Sequence, residues 1–465
     1  MANNLLTMSY ITNEALVVLE NELVLANRVE RQYSNEYAQT GAKVGNTVNI
    51  RRPPRYIGTY GPPLNVEDSN ETYTQVALNY QFHVDVQFTT QDLALSMDMF
   101  KKRILRPQIA TVANRIDSDT AQYATLNTAT TLGTFGTQPT SYKLFSDARA
   151  SLAAESCPTE GEKNCVLDPI TMSAATDAVK GLFNPQAQIG EYVDKGLIAR
   201  NFAGLDWWED QNILSFTTGT QAVASAATGV SLKTTAAAGQ TSLLTSGWAA
   251  SGTLNLAGLA TSSAGVFQVG DLITIAGVYP VNPQNRNQYG RTLKQFVILP
   301  PGGFVAPPNG AASTTLTYGA ATLAFGTFNP VTGAYNSDGS GYVTVTIGDC
   351  IISGGQFQNV TAAPAATAQV NVNGIPYASS LTTTQSVVSP QGLVFHKYAY
   401  ALAFADLPLP QGVEMAVRAY DDEDVGMSIR CVTQYTINND SEPTRADVLY
   451  GPASLYRSLG IRIAG

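Results

Sequence analysis

From Val76 to Phe88 large apolar side chains take every second position, and the side chains between them are nearly all polar. Val76, Leu78, Tyr80, Phe82, Val84, Val86 and Phe88 hold one set of positions, with Ala77, Asn79, Gln81, His83, Asp85 and Gln87 between them. A period of two sustained this long predicts one extended strand with a single buried face. At about 3.3 Å per residue it would span roughly 40 Å, well beyond the usual strand of about five or six residues. A shorter alternation over 46–51, where Val48 and Ile50 are apolar, supplies a partner. Between the two lie Pro53, Pro54, Pro62 and Pro63, which stiffen the connection. The prediction is a long hairpin with a projecting, proline-rich tip. Such a tip gains nothing by pointing into water, so it is expected to lie across a neighbouring molecule.

Helical spacing comes next. Leu16, Leu19, Leu23 and Ala26, widened by Val17 and Val24, predict an amphipathic helix over 12–37, with Thr12 or Asn13 as its cap. It would dock on its own domain or reach toward a neighbouring subunit. Pro107 suits the first position of a helix, where its missing N–H costs nothing. Ile109, Val112, Ala113, Ile116, Tyr123 and Ala124 carry a stripe from there to residue 126 or so, a helix about 30 Å long. Further helices are predicted over 92–105, 142–155 (Leu144, Ala148 and Leu152 inward), 171–182 and 185–195. Cys165-Val166-Leu167 reads as a short buried strand.

Composition then changes the picture. Residues 211–380 carry only seven charged side chains, Lys233, Asp271, Arg286, Arg291, Lys294, Asp338 and Asp349, and are rich in Gly, Ala, Ser and Thr. Leu272–Ile275, the alternation at Val343, Val345 and Ile347, and Val370 with Val372 before Asn373-Gly374 predict short strands joined by tight turns. This block reads as a small self-contained barrel or sandwich spliced into a loop of another domain. Ordinary texture resumes after it, with strands predicted from Leu393 to Phe404, over 413–420 and over 427–436, and then a tail to Gly465.

The chemistry is thin. The two histidines, His83 and His396, read as surface or interface and as structural, respectively. No HExxH, CxxC, Walker-type loop, GxGxxG or GxSxG pattern occurs. The acidic run Asp421-Asp422-Glu423-Asp424 lacks the spacing of a calcium loop and reads as a solvated turn. No catalytic, cofactor or metal residue is assigned, and the chain is not read as an enzyme. A net charge of −9 argues against nucleic-acid binding over the whole surface. Cys157, Cys165, Cys350 and Cys431 show neither metal spacing nor a disulfide framework, which suggests synthesis in a reducing cytoplasm. No secretory signal or membrane span is expected. The remaining candidates sit on the hairpin: Arg51, Arg52 and Arg55, with Tyr56 and Tyr60, as residues that meet a neighbouring copy through bidentate arginine–carboxylate pairing.

An arm helix, a hairpin at 46–88 and a long helix at 107–126, in that order, resemble the major capsid proteins of tailed bacteriophages, which share the Hong Kong 97 fold. The inserted all-β block is similar to that of the short-tailed phage coat proteins of P22 type. Lys195-Gly196-Leu197-Ile198-Ala199-Arg200 with Ala203-Gly204-Leu205-Asp206, Gly270-Asp271 with Ile275-Ala276-Gly277-Val278, and Leu407-Pro408-Leu409-Pro410 with Asp424-Val425-Gly426 carry the local likeness.

The resemblance implies an α+β Hong Kong 97-type capsid fold with an inserted β-barrel. Its parts would be an N-terminal arm (1–45), an extended hairpin and adjoining strand (46–88), a peripheral domain with the spine helix (89–165), an axial domain in two parts (166–218 and 379–440), the barrel (219–378) and a C-terminal segment (441–465). It implies a coat protein that forms hexamers and pentamers of an icosahedral shell around double-stranded DNA. A scaffolding protein and a portal would be partners, the shell would mature from a procapsid by expansion, and assembly would occur in the host cytoplasm with no membrane. The alternatives are an encapsulin-like nanocompartment shell or another phage structural protein, of tail or fibre.

Overall fold

The computed structural model describes residues 19, 23–31, 47–89, 106–159, 162–179, 204–224, 229–233, 240–290, 292–302, 304–305, 317–318, 326–372, 386–420 and 427–465. The helices predicted over 92–105 and 185–195, the acidic run 421–424, Asn373-Gly374 and most of the 12–37 helix lie outside them.

The long helix runs from Arg106 to Asn127 with Pro107 in its first turn. Its stripe of Ile109, Val112, Ala113, Ile116, Ala121 and Ala124 is buried. Asp117, Asp119, Thr120 and Thr125 are buried as well, so the helix is enclosed on nearly every side. The buried acids are spoken for. Asp119 takes hydrogen bonds from Arg115 at 3.0 Å and from the Tyr450 hydroxyl at 2.6 Å. At the C-terminal end Asn127 donates to Tyr123 O and Thr128 Oγ1 to Ala124 O, side-chain bonds added to the backbone bonds of the last turn, such as Thr128 N to Ala124 O. The helix at Tyr142–Ala154 begins at Ser141, whose hydroxyl accepts from Lys143 N, and buries Phe145, Ala148 and Leu152. Phe145, packed on Trp207, takes the inward place expected of Leu144, which is only half-buried.

The predicted N-terminal helix meets a correction. Leu19 is helical as expected, but residues 23–31 form turns and bends rather than helix. The N–H groups of Val24 and Ala26 donate to the Asp117 carboxylate of the long helix, and Asn27 donates to Leu23 O. A buried side chain has taken backbone donors that helical hydrogen bonding would have used.

Two larger sheets and a barrel, with four small sheets of two or three strands, make up the strands of the described residues. The first sheet has six strands and a mixed order, Thr130–Gly133, Gly460–Ala464, Val388–His396, Lys163–Leu167 and Asp206–Glu209, with Ser215–Thr217 also paired to Val388–His396. The second is organised by Ser441–Ser454, a 14-residue strand. One of its edges takes Tyr80–Thr89, and the other takes Ser428–Thr433 and then Tyr400–Ala405. The stretch expected as one strand from Leu393 to Phe404 is therefore two strands in different sheets, hinged at a turn over Lys397–Ala399. The His396 ring closes that turn by accepting from Tyr398 N at 3.3 Å, so this histidine is structural.

The 76–88 alternation is likewise two strands. Thr72–Ala77 pairs with Thr47–Arg52, while Tyr80–Thr89 pairs with the 14-residue strand. The break falls where the chain crosses over Gly451, at which any side chain would collide with the Ala77 carbonyl oxygen. Leu78 stays buried and Asn79 exposed through the crossing, so the period of two survives and hides it.

The barrel is closed by six strands in the order Ser251–Ala257, Val343–Gly348, Gln295–Leu299, Leu272–Ile275, Gln369–Val372 and Val230–Leu232. Leu254, Leu256, Ile273, Ile275, Phe296, Ile298, Val345 and Val370 fill its interior. Leu272, Val297 and Leu299 point the other way and belong to the core of the body. One wall of the barrel is thus shared. Gln295 exchanges two amide hydrogen bonds with the Thr131 backbone across that seam, at 2.6 and 3.2 Å. Among the described residues no helix is long and apolar enough to cross a membrane.

Candidate assembly surface

The hairpin is built in three parts. Its base is the register Thr47↔Ala77 to Arg52↔Thr72. Successive side chains of a strand point to opposite faces, so Arg51 and Arg52 must part company. Arg51 faces out and makes only an exposed ion pair with Glu71 at 3.4 Å, worth about 0–1 kcal/mol. Arg52 follows buried Ile50 inward. It donates from Nη2 to Leu455 O and lies over the rings of Tyr456 at 4.9 Å and Trp248 at 5.2 Å. Burial lowers its pKa, with Asp349 opposing that shift. Arg55 also turns inward, where burial lowers its pKa and Glu155 opposes.

Beyond the base the chain has no ladder, yet the tip is ordered by its own side chains. The Glu67 carboxylate accepts from Ile57 N at 2.6 Å and Gly58 N at 2.8 Å, and Tyr56 Oη lies 3.0 Å from Ser69 Oγ. Gly58 and Gly61 have φ of 65° and 109°, conformations that only glycine adopts cheaply. One flank rests on the barrel, where Arg286 donates to Tyr56 O and Gln356 donates to Asp68 O. The rest is open. Tyr60 is fully exposed, Leu64 is 90% and Val66 78% exposed, and Tyr56 and Ile57 are exposed beside them. An isolated subunit leaves all of these apolar side chains in water.

Of the residues expected here, the structure brings Arg51, Tyr56 and Tyr60 to the outer surface and places Arg52 and Arg55 in the subunit's own cleft. Ile57, Leu64, Val66 and the stapling Glu67 were not foreseen. They lie among prolines and glycines with no period to single them out. His83, opposite Asp447 in the register, is part exposed and 3.1 Å from Asp85. All four cysteines are buried, and none forms a disulfide. Among the described residues no three His, Cys, Asp or Glu side chains come together as a metal site.

A body with its own core, braced by a barrel and extending a stiff apolar hairpin, is the form of an interlocking structural subunit. Residues 1–306 match the family model described as P22 coat protein, gene protein 5, and the chain belongs to that family. It is a phage coat protein of the virion capsid, and its α+β fold with the inserted closed barrel is of Hong Kong 97 type. Similar solved structures include one from Mycobacterium phage Che8, 10% identical over 95% of this chain and 90% of that one, with a TM-score of 0.41. The capsid structure of the cyanophage P-SCSP1u is 9% identical over 95% and 88%, with a TM-score of 0.40. The asymmetric unit of the bacteriophage PhiM1 mature capsid is 11% identical over 91% and 82%, with a TM-score of 0.34. At these scores the likenesses carry no weight of their own. No curated protein matches the sequence.

Proposed function

We propose that the chain assembles through its hairpin into the hexamers and pentamers of an icosahedral head shell around the double-stranded DNA of a tailed bacteriophage. One observation carries this reading: Tyr60, Leu64 and Val66 stand exposed on a tip that is internally stapled and so cannot fold back to bury them. Burying them on a neighbour would recover about 25 cal/mol for each Å² removed from water. Tyr56 and Tyr60 form the contact, Arg51 pairs with a neighbour's carboxylate, and Arg52 and Arg55 set the angle at which the hairpin leaves the body. The barrel, about residues 219–378, braces the subunit. Assembly proceeds in the host cytoplasm on a scaffolding protein, with a portal at one vertex, and the procapsid matures by expansion as DNA enters. The inner wall does not need to grip the duplex, which suits a net charge of −9. Family membership favours this container over a nanocompartment or a tail component.

The test is a Tyr60→Ser, Leu64→Ser double variant. Exposed substitutions change stability by about 0.5 kcal/mol or less, so the subunit should melt as the wild type does. Electron microscopy of the variant expressed with its scaffold should show no closed shells. Normal shells would overturn the hairpin's role. Arg51→Ala should impair assembly with an unchanged melt, whereas Arg52→Ala should lower the melting temperature of the unassembled subunit.

A further inference from the structure

The root of the hairpin closes a cavity of about 90 Å³ where four parts of the chain meet. Arg52 and Arg55 line it from the hairpin, Glu155 from the end of the 142–154 helix, Lys294 and Asp349 from the barrel, and Arg457 from the C-terminal segment. Four cations therefore face two carboxylates, and both carboxylates are engaged. Lys294 Nζ lies 2.6 Å from Glu155 Oε1, which the Tyr289 hydroxyl also reaches. Arg457 Nη1 lies 3.2 Å from Asp349 Oδ1.

Arg52 and Arg55 form no ion pair among the described residues, and the buried Nε atoms of Arg52 and Arg457 have no acceptor. Uncompensated cations and unpaired N–H groups are costly away from bulk water, so such a site is built for a negative partner. The burial that lowers the pKa of both arginines is consistent with this deficit.

We propose that the cavity binds one small oxyanion of the phosphate class, held between the guanidinium groups of Arg52 and Arg55. Their planar forks match oxyanion geometry, and the Nε groups of Arg52 and Arg457 supply further donors. The volume holds several waters at about 10–15 Å³ each, enough for four oxygens. Pro53, Trp248, Phe296 and Phe357 also line the cavity, and its volume of about 90 Å³ suits a small ion. The bound ion ties hairpin, barrel and C-terminal segment together at the point where the hairpin's angle is set. This site stands whether or not the hairpin contacts a neighbour.

Titration calorimetry of the unassembled full chain with sodium phosphate, against sodium chloride at equal ionic strength, tests it. The expected result is one site per chain and a shift in the emission of Trp248, which stacks on Arg52. Trp248→Phe should abolish the shift, since the other tryptophans, Trp207 and Trp208, lie in the body. Arg55 makes no hydrogen bond among the described residues, so Arg55→Gln should fold normally and weaken phosphate binding tenfold or more. Arg51→Gln, on the opposite face, should bind as the wild type does. Heats identical for phosphate and chloride, unchanged affinity in Arg55→Gln, or a preference for acetate over phosphate would each overturn the proposal.

Discussion

Replacing Arg462 with alanine is expected to destabilise the subunit by about 3–5 kcal/mol, the usual cost of removing one of two opposite charges that are both buried. Arg462 lies on the strand Gly460–Ala464, in the middle of the first sheet, with no exposed surface. From there its Nη2 donates 2.7 Å to Gly270 O, at the turn that opens a barrel strand. The guanidinium lies over Phe216, 5.6 Å from the ring centre. Burial pushes its pKa down to about 10, against attraction from Asp271 and Tyr400. Asp271 is equally buried and accepts from Gly219 N at 3.1 Å and Gln268 N at 2.7 Å.

One arginine thus bolts the end of the chain to the inserted barrel through the Gly270 carbonyl, and its charge offsets that of the buried Asp271 through space. Removing it leaves Asp271 charged and sealed from water, along with a void. Arg462→Met, which keeps the volume, should lose less. Arg462→Met combined with Asp271→Asn should recover much of the loss, because neither charge then remains. Urea midpoints of the four proteins decide the matter. A loss in Arg462→Ala under about 1 kcal/mol would show that the bolt carries little.

The stability of the subunit should also fall as pH rises from about 4 to about 7, through Asp117. This carboxyl is 1% exposed on the long helix and accepts from Val24 N at 2.7 Å and Ala26 N at 2.8 Å. Burial first, then repulsion from Asp210, raises its pKa from 3.8 to about 7, while the hydrogen bonds from Val24 and Ala26 pull it back. Between those two values the folded chain holds a proton that the unfolded chain has released, so stability drops as pH climbs through the window and is level on either side. At about 1.36 kcal/mol per unit the loss comes to roughly 4 kcal/mol. Burial raises the pKa of Asp210 too, which steepens the same slope.

Asp117→Asn cannot ionise and keeps one oxygen to accept from the arm. Its profile should be markedly flatter, and at pH 8 it should be the more stable protein. Parallel profiles for wild type and variant, from thermal melts between pH 4 and 8, would sink this assignment. Hydrogen exchange at residues 24 and 26 reads the same contact locally.

The strongest signals in the chain were its periodic ones. The long helix, the 142–154 helix and three of the six barrel strands, Leu272–Ile275, Val343–Gly348 and Gln369–Val372, lie close to where spacing placed them, because a buried stripe imposes a repeat on sequence whatever it packs against. The C-terminal tail is the opposite case. It was expected only as a tail, yet Pro443, Gly451 and Pro452, residues that disfavour strands, lie within the 14-residue strand that organises the second sheet, and Ile461, Ile463 and Ala464 are buried in the first. Gly451 earns its place only through the crossing of another strand, which no local pattern records.

The assembly surface divides along the same line. A stiff hairpin with arginines at its base was visible in the prolines and the alternation. Which arginine turned outward depended on the pleat and on the barrel standing against one flank.

By itself, then, the sequence determined the long helix and the 142–154 helix, the sparse-charge β block and the hairpin, since these rest on local repeat, composition and turn chemistry. Tertiary structure alone decided where the long alternation breaks, that the barrel shares a wall with the body, and that Arg462 reaches the Gly270 carbonyl across the seam. Those outcomes depend on residues far apart in the chain, brought together by burial, and their chemistry exists only once water has been excluded between them.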